Sequence, residues 1–195
     1  MGGGAGWFLH DAGAPVVAIA DAAGTLYDPA GLDVPALLAL RDSYGEIDRS
    51  GVPNHIQRLP SEAVLSLPSD ILIPAAFSYA LTTEAVPHIT ARTVVEAANS
   101  ATTPQAEELL AVRGIPVIPD FVANAGAAAW TWWLLRGLVG TDPDDSFQLL
   151  SNQMQAKVAF MLSEWSESAV LPRRSALSFA NANHRALANT HMTIP

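Results

Sequence analysis

Short apolar runs that stop at a small, polar or proline residue mark the first two thirds of the chain. Pro15-Val-Val-Ala-Ile-Ala20 ends at Asp21. Ile71-Leu-Ile73 ends at Pro74-Ala-Ala76. Ala91 to Ala97, with Thr93, Val94 and Val95, stops short of Asn99, and Ile115 to Ile118 stops at Pro119-Asp120. Such runs suit strands buried in a parallel sheet, whose carboxyl ends open onto a ligand crevice. Helical signals lie between them. Asp33 caps a predicted helix through Ser43, with Pro35 in its first turn, Leu37, Leu38 and Leu40 on its apolar side, and Gly45 as its stop. Thr103-Pro104-Gln-Ala-Glu107 reads as an N-cap, a proline at the first helical position and an early acid. It predicts a helix to about Val112, ended by Gly114. A short helix is predicted from Thr82 or Thr83 to Pro87. Glu46 to Pro68 reads as loop, with one short strand near His55 to Leu59.

The last third changes character. Asp120–Val139, Asp144–Ser168 and Arg173–Asn189 all read as helices. Leu149, Met154, Val158, Met161, Leu162 and Trp165 form an apolar stripe on the second of these. Residues 189–195 read as a loose tail. Strands alternating with helices, followed by helices alone, predict an α/β protein with a doubly wound parallel sheet and a helical C-terminal segment. The expected divisions are an α/β domain over 1–140, a helical extension of it over 141–188, and the tail.

Composition narrows the function. Half of the 195 residues are hydrophobic and only 15% are charged, which predicts a compact core together with a sizeable interface. The net charge of −9 repels phosphate backbones, so no nucleic acid or anionic membrane partner is expected. The chain has no cysteine, which excludes disulfides, thiolate nucleophiles and cysteine-bound metals and suits a cytoplasmic protein. No signal peptide is visible. The most apolar stretch, Val122 to Val139, is interrupted by Asn124 and Arg136, so no membrane span is predicted. His10, His55, His88, His184 and His191 show no metal-ligand spacing, and neither a Gly-x-Ser-x-Gly elbow nor a P-loop occurs.

Three motifs carry the specific signal: Asp70-Ile-Leu-Ile-Pro-Ala-Ala76; Glu96-Ala-Ala-Asn99 with Thr102-Thr103-Pro104; and Pro119-Asp120 with Asn124-Ala-Gly126. Together with Gly24-Thr-Leu-Tyr-Asp-Pro-Ala-Gly31, they resemble the cofactor domain of the glutamate, leucine, phenylalanine and valine dehydrogenases over residues 1 to 139. The resemblance implies a three-layer Rossmann-like sheet. Gly2 then corresponds to the third glycine of the dinucleotide fingerprint. Asp21, 19 residues later, corresponds to the acid that binds the adenosine ribose. On this alignment the first strand and first two glycines are absent, so the resemblance implies an incomplete dinucleotide-binding domain over 1–140, and the chain is expected to be a fragment or the product of a late internal start. Ala75 and Ala76 correspond to small residues beside the adenosine. Asn99 corresponds to the asparagine beside the nicotinamide ribose, although Ala97 and Ala98 stand where the family has a glycine. Asn124 corresponds to the asparagine facing nicotinamide and substrate, with Ala127 in place of the family's second glycine. Thr131 falls near the hydroxyl that glutamate-specific members offer to the substrate's carboxylate. Trp130, Trp132 and Trp133 read as packing or interface residues.

The resemblance implies the cofactor-binding part of an amino-acid dehydrogenase, catalysing oxidative deamination of an L-amino acid with glutamate favoured. Asp21 would repel the 2′-phosphate of NADP and accept hydrogen bonds from the ribose of NAD. The next basic residue is Arg41, so NAD is expected over NADP. The resembled family carries its catalytic lysine and aspartate on a separate N-terminal domain. Lys157, the only lysine, lies in a late helix, so no catalytic residue is expected in this chain. The expected partners are an amino acid or 2-oxo acid, the missing N-terminal domain, and further copies of the complete chain. The alternative is a non-catalytic remnant that binds nucleotide or forms oligomers.

Overall fold

The structure is a computed structural model and describes residues 2–191. It is an α/β fold built around two three-stranded sheets, not one doubly wound sheet. The first sheet is antiparallel. β1 (Ala18–Asp21) turns back through Ala22-Ala23 onto β2 (Gly24–Tyr27), and β3 (Gln57–Leu59) lines the other side of β2. The run Pro15–Ala20, expected in a parallel sheet, is thus the first arm of a hairpin. Gly24 explains the difference. Its φ is +128°, and a Cβ there would come 2.6 Å from the Leu59 carbonyl oxygen. Only glycine lets β3 approach a strand that starts in that conformation. Leu26, Leu32, Leu37, Ile47, Val52 and Ile56 form the core beneath this sheet.

Two helices border it. α1 (Gly2–Asp11) buries none of its residues completely. α2 (Val34–Ala39) is capped by Asp33, which accepts from Ala36 N at 3.0 Å, and has Pro35 in its first turn. It stops short of Ser43 because the Asp42 carboxylate collects Tyr44 N and Glu46 N in a turn completed by Gly45 at φ +90°.

The second sheet is parallel, in the order β4 (Ile71–Leu72), β5 (Thr93–Val95), β6 (Val117–Ile118). α3 (Pro104–Val112) makes the crossover from β5 to β6. Thr103 caps it by accepting from Ala106 N at 3.3 Å, and Pro104 fills its first turn, as the sequence predicts. A 3₁₀ turn at Val86–His88 replaces the predicted short helix. Val94, Val117, Leu110, Ala106, Leu81 and Ile89 form the second core. A further 3₁₀ turn, Ser61–Leu65, ties the two sheets together. Thr25 Oγ1 donates to Ser61 O at 3.0 Å and Ser61 Oγ to Asp21 O at 3.3 Å. At its far end Leu65 packs on the second core.

The expected helix Asp120–Val139 is two helices, α4 (Asp120–Ala123) and α5 (Gly126–Leu135), separated by Asn124 and Ala125. α6 (Pro143–Ser168) starts at the Asp142 cap and ends at Ala169 in the left-handed conformation, φ 52°. α7 (Pro172–His191) follows. Met154, Val158, Met161 and Leu162, part of the predicted stripe, pack with Ile118, Val122 and Ala176 in a third core. Of the tail expected at 189–195, residues 189–191 belong to α7 and the remainder lies outside the described residues. No helix among the described residues is long and apolar enough to cross a membrane.

Gly24→Ala is expected to lower the unfolding free energy by about 1–3 kcal/mol through a strained φ and a backbone collision. Urea denaturation checks this. A midpoint equal to that of the parent would show that β3 can retreat at no cost.

Candidate functional site

The carboxyl ends of the parallel strands are laced to one another by the backbone. Beyond β4 the Pro74 carbonyl accepts from both Ala97 N (3.1 Å) and Ala98 N (2.9 Å) at the end of β5. The Ala97 carbonyl in turn accepts from Asn124 Nδ2 at 3.2 Å, and the same nitrogen donates to Asn99 Oδ1 at 2.7 Å. Ala75 and Ala76 after β4, Asn99 after β5 and Asn124 after β6 therefore belong to one cluster. Gly2 joins it from α1, since a Cβ on Gly2 would stand 3.4 Å from Ala75 Cβ. The asparagine pair leaves Asn99 Nδ2 and Asn124 Oδ1 without protein partners among the described residues. The pair thus keeps one amide nitrogen free to donate and one amide oxygen free to accept.

A buried charge network holds the two loops that carry these asparagines. Glu96, at the end of β5, is fully buried. Its Oε1 accepts from Thr102 N at 2.6 Å and its Oε2 from Asp120 N at 3.0 Å. Asp120 Oδ2 accepts from Ser100 N at 2.8 Å, which fixes Ser100 at φ 48°, a left-handed conformation uncommon for a residue with a side chain. Arg173 of α7 donates to Glu107 Oε2 (2.7 Å) and Glu96 Oε2 (2.8 Å) and reaches Asp120 Oδ1 at 3.5 Å. Its guanidinium also lies 5.6 Å from the centre of the Phe121 ring.

One guanidinium serving three carboxylates leaves excess negative charge. Burial is the main cause that raises the Glu107 carboxyl above its usual value, and the charges of Glu96 and Asp120 add to it. Together they outweigh the opposing pull of Arg173. Glu107 Oε1, Thr102 Oγ1 and Ser175 Oγ are buried without hydrogen-bond partners. A proton on Glu107 turns one of those orphaned acceptors into a donor.

Asp21, at the end of β1, shares no hydrogen-bond partner with this cluster among the described residues. Oδ1 accepts from Ala23 N and Arg49 Nη2, and Oδ2 from Ile47 N and Arg49 Nη1. Burial pushes its pKa up, but the Arg49 guanidinium and the two backbone donors more than offset this and hold the carboxyl below its usual range. The carboxylate's accepting positions are filled. The basic residue nearest to Asp21 in space is thus Arg49 and not Arg41, which counts as nearest along the chain. Arg41 instead donates to the Gly45 carbonyl. Thr131 Oγ1 donates to Ala127 O, one turn back in α5, at 2.8 Å. Trp130 Nε1 donates to Ser146 Oγ at 3.2 Å, which ties α5 to α6.

A hollow of about 550 Å³ opens at the opposite, amino end of the parallel strands, among Asp70, Ile71, Thr90, Arg92 and Gly114. Ligands of parallel sheets bind at the carboxyl ends, where the asparagine pair sits. The sequence motifs contain the asparagines but not Arg173 or Glu107 as site residues. The signal available for those two is a proline-led Arg-Arg pair at the start of one helix and an acid in the first turn of another.

The fold is α/β, with helices packed around a short parallel sheet whose carboxyl strand ends are laced together. The profile of the Glutamate/Leucine/Phenylalanine/Valine dehydrogenases matches residues 1–176, and the chain belongs to that family. It is 42% identical over 126 residues to a catabolic NAD-specific glutamate dehydrogenase of Bacillus subtilis, covering 65% of this chain and 29% of that one. It is 41% identical over 126 residues to an NAD-specific glutamate dehydrogenase of Staphylococcus aureus, covering 30% of that protein. The chain thus spans under a third of the length of these curated relatives. The hetero-hexameric glutamate dehydrogenase of Thermus thermophilus superimposes on the whole chain and 46% of its own, at 24% identity and a TM-score of 0.80. The glutamate dehydrogenase of Peptoniphilus asaccharolyticus covers 89% of this chain and 40% of its own, at 22% identity and a TM-score of 0.65. At those identities the likeness is one of fold.

The two shifted carboxyls predict opposite pH dependences. Asp21 titrates lower folded than unfolded, so its contribution is present at neutral pH and is lost as pH falls from about 4 through its folded value. Glu107 titrates higher folded than unfolded, so its contribution is complete below about 4 and is lost as pH rises through its folded value. Asp21→Asn should flatten the acid limb of the stability curve. Glu107→Gln should flatten the limb above it and match or exceed the parent's stability at neutral pH. Thermal melts across pH 3–8 report both. Parallel curves for parent and variants would show that neither carboxyl is shifted as described.

Proposed function

We propose that this chain is the cofactor-binding part of an NAD-dependent amino-acid dehydrogenase that deaminates an L-amino acid oxidatively, with a glutamate-like substrate. One observation carries the reading: the Asn99–Asn124 pair offers an open donor and an open acceptor at the carboxyl ends of β5 and β6, and the small residues Ala75 and Ala76 follow Pro74, whose carbonyl holds the end of β5. A carboxamide has the complementary acceptor and donor, so the pair fits the nicotinamide group. Bound NAD supplies the hydride-accepting chemistry. Ala75, Ala76 and Gly2 keep the approach open because none carries a side chain beyond a methyl group. Asn99 and Asn124 orient the carboxamide and so select the ring face turned to the substrate.

The adenosine end fits less directly. Asp21 is the proposed ribose acceptor, and Arg49 must yield at least one of its two bonds before a ribose hydroxyl can reach it. The preference for NAD rests on Asp21 together with the NAD-specific names of the relatives. The glutamate-like substrate rests on those names, because the Thr131 hydroxyl already donates within its own helix. The catalytic lysine and aspartate, the amino acid's binding groups and the oligomeric assembly belong in this proposal to a further domain of the complete enzyme.

Isothermal titration of NAD and NADP into the protein tests the proposal. NAD should bind more tightly than NADP. Asn99→Ala and Asn124→Ala should each weaken NAD about tenfold, equivalent to about 1.4 kcal/mol, with melting temperatures little changed. An affinity for NAD that neither variant alters would remove the asparagines from the site. Absence of binding by a folded parent chain would favour the non-catalytic oligomer-forming alternative.

A further inference from the structure

We propose that Arg173, in the first turn of α7, is the positioning residue that sets the Asn99–Asn124 pair. Its importance to the cofactor rests on the function proposed above, but the positioning itself does not. Arg173 touches neither asparagine. It acts through Glu96 and Asp120, the two carboxylates that organise both loops. Glu96 holds Thr102 N in the loop after β5 and Asp120 N in the loop after β6. Asp120 reaches back to Ser100 N, next to Asn99, and opens the α4 helix that Asn124 caps at its C-terminus. Each loop is thus anchored on a carboxylate of the other, and one guanidinium bridges the two anchors.

Charge explains why an arginine is needed. Glu96, Glu107 and Asp120 converge where little water reaches, and their side chains are 0%, 6% and 14% exposed. Without a cation between them, Glu96 and Asp120 repel each other. Repulsion there separates the same two loops that the asparagine hydrogen bond must bring to 2.7 Å. The three contacts use Nε, Nη1 and Nη2 in different directions. A lysine ammonium at the end of a flexible stem cannot occupy three diverging positions at once. Glu107 lies on α3, outside both loops, so its bond to Arg173 steadies the guanidinium without entering the path to the asparagines.

A merely structural arginine would fix α7 to the sheet and leave the asparagines indifferent. The two roles separate in side-chain amide NMR of the protein without cofactor. The Asn124 Nδ2 protons should exchange slowly in the parent. Arg173→Lys should accelerate that exchange at least tenfold, while the backbone amides of Val94 and Leu110 in the core keep their protection. Glu107→Gln should leave Asn124 exchange unchanged. Asp120→Ala, which keeps Arg173 but cuts the link to Ser100, should reproduce the effect of Arg173→Lys and stands in for it if the lysine variant does not fold. Unchanged Asn124 exchange in the lysine or alanine variant overturns the proposal, as does acceleration by Glu107→Gln equal to theirs. NAD titration of the same samples keeps the two proposals distinct. Faster Asn124 exchange in a parent-like fold that never binds NAD supports the positioning role and sinks only the function. Weakening of NAD by Arg173→Lys with Asn124 exchange unaltered sinks only the positioning role.

Discussion

A carboxylate removed from water must be answered by donors, and Glu96 imposes that demand on the whole carboxyl end of the parallel sheet. Its side chain is fully buried, so an isolated charge there would cost several kcal/mol. Three groups answer it: two backbone amides from different loops and a guanidinium from α7. Satisfying Glu96 therefore fixes where α3 starts, where α4 starts and where α7 docks. The sheet itself is short, with strands of two or three residues, and could not hold those elements in register by ladder bonds alone. The fold compensates with polar groups beyond the strand ends, and those groups are also the ones that frame the candidate site.

Legibility in the sequence follows the range of the interaction. Thr103-Pro104 and Asp33 are local caps, and both helices begin where those residues place them. The parallel strands are legible because uninterrupted apolar runs ending at proline or a small residue have few other uses. Met161 and its neighbours are legible because helical spacing lies along one element. The direction of the first sheet is not, because Val16, Val17 and Ile19 are apolar in the same way whichever way the partner runs. The deciding fact, Gly24 against the Leu59 carbonyl, joins residues 35 apart. The break between α4 and α5 is hidden for a similar reason. Asn124 interrupts an apolar stretch that reads as one helix, and it does so because its side chain is needed at Ala97 and Asn99.

Asp21 and Arg49 show the same limit in the site. Spacing along the chain places Asp21 where a ribose-binding acid belongs, and Arg41 as the next cation. The fold instead brings Arg49 across from the loop after α2 and saturates the carboxylate. Proximity in sequence says little about the electrostatics of a hairpin tip, because turns return distant residues to it. The asparagines are more legible because each sits within a few residues of the strand that positions it.

The bond between Arg173 and Glu96 spans 77 residues, whereas the parallel strand pairs join residues 22 and 23 apart and the first hairpin is local. On a ribosome the hairpin and the parallel sheet can form while α7 is still unmade. Glu96, Glu107 and Asp120 then face one another without their cation until Arg173 clears the exit tunnel. The carboxyl end of the sheet therefore lacks its bridging cation until residue 173 is made, and a nascent chain stalled before residue 173 would carry its asparagines on loops not yet held together.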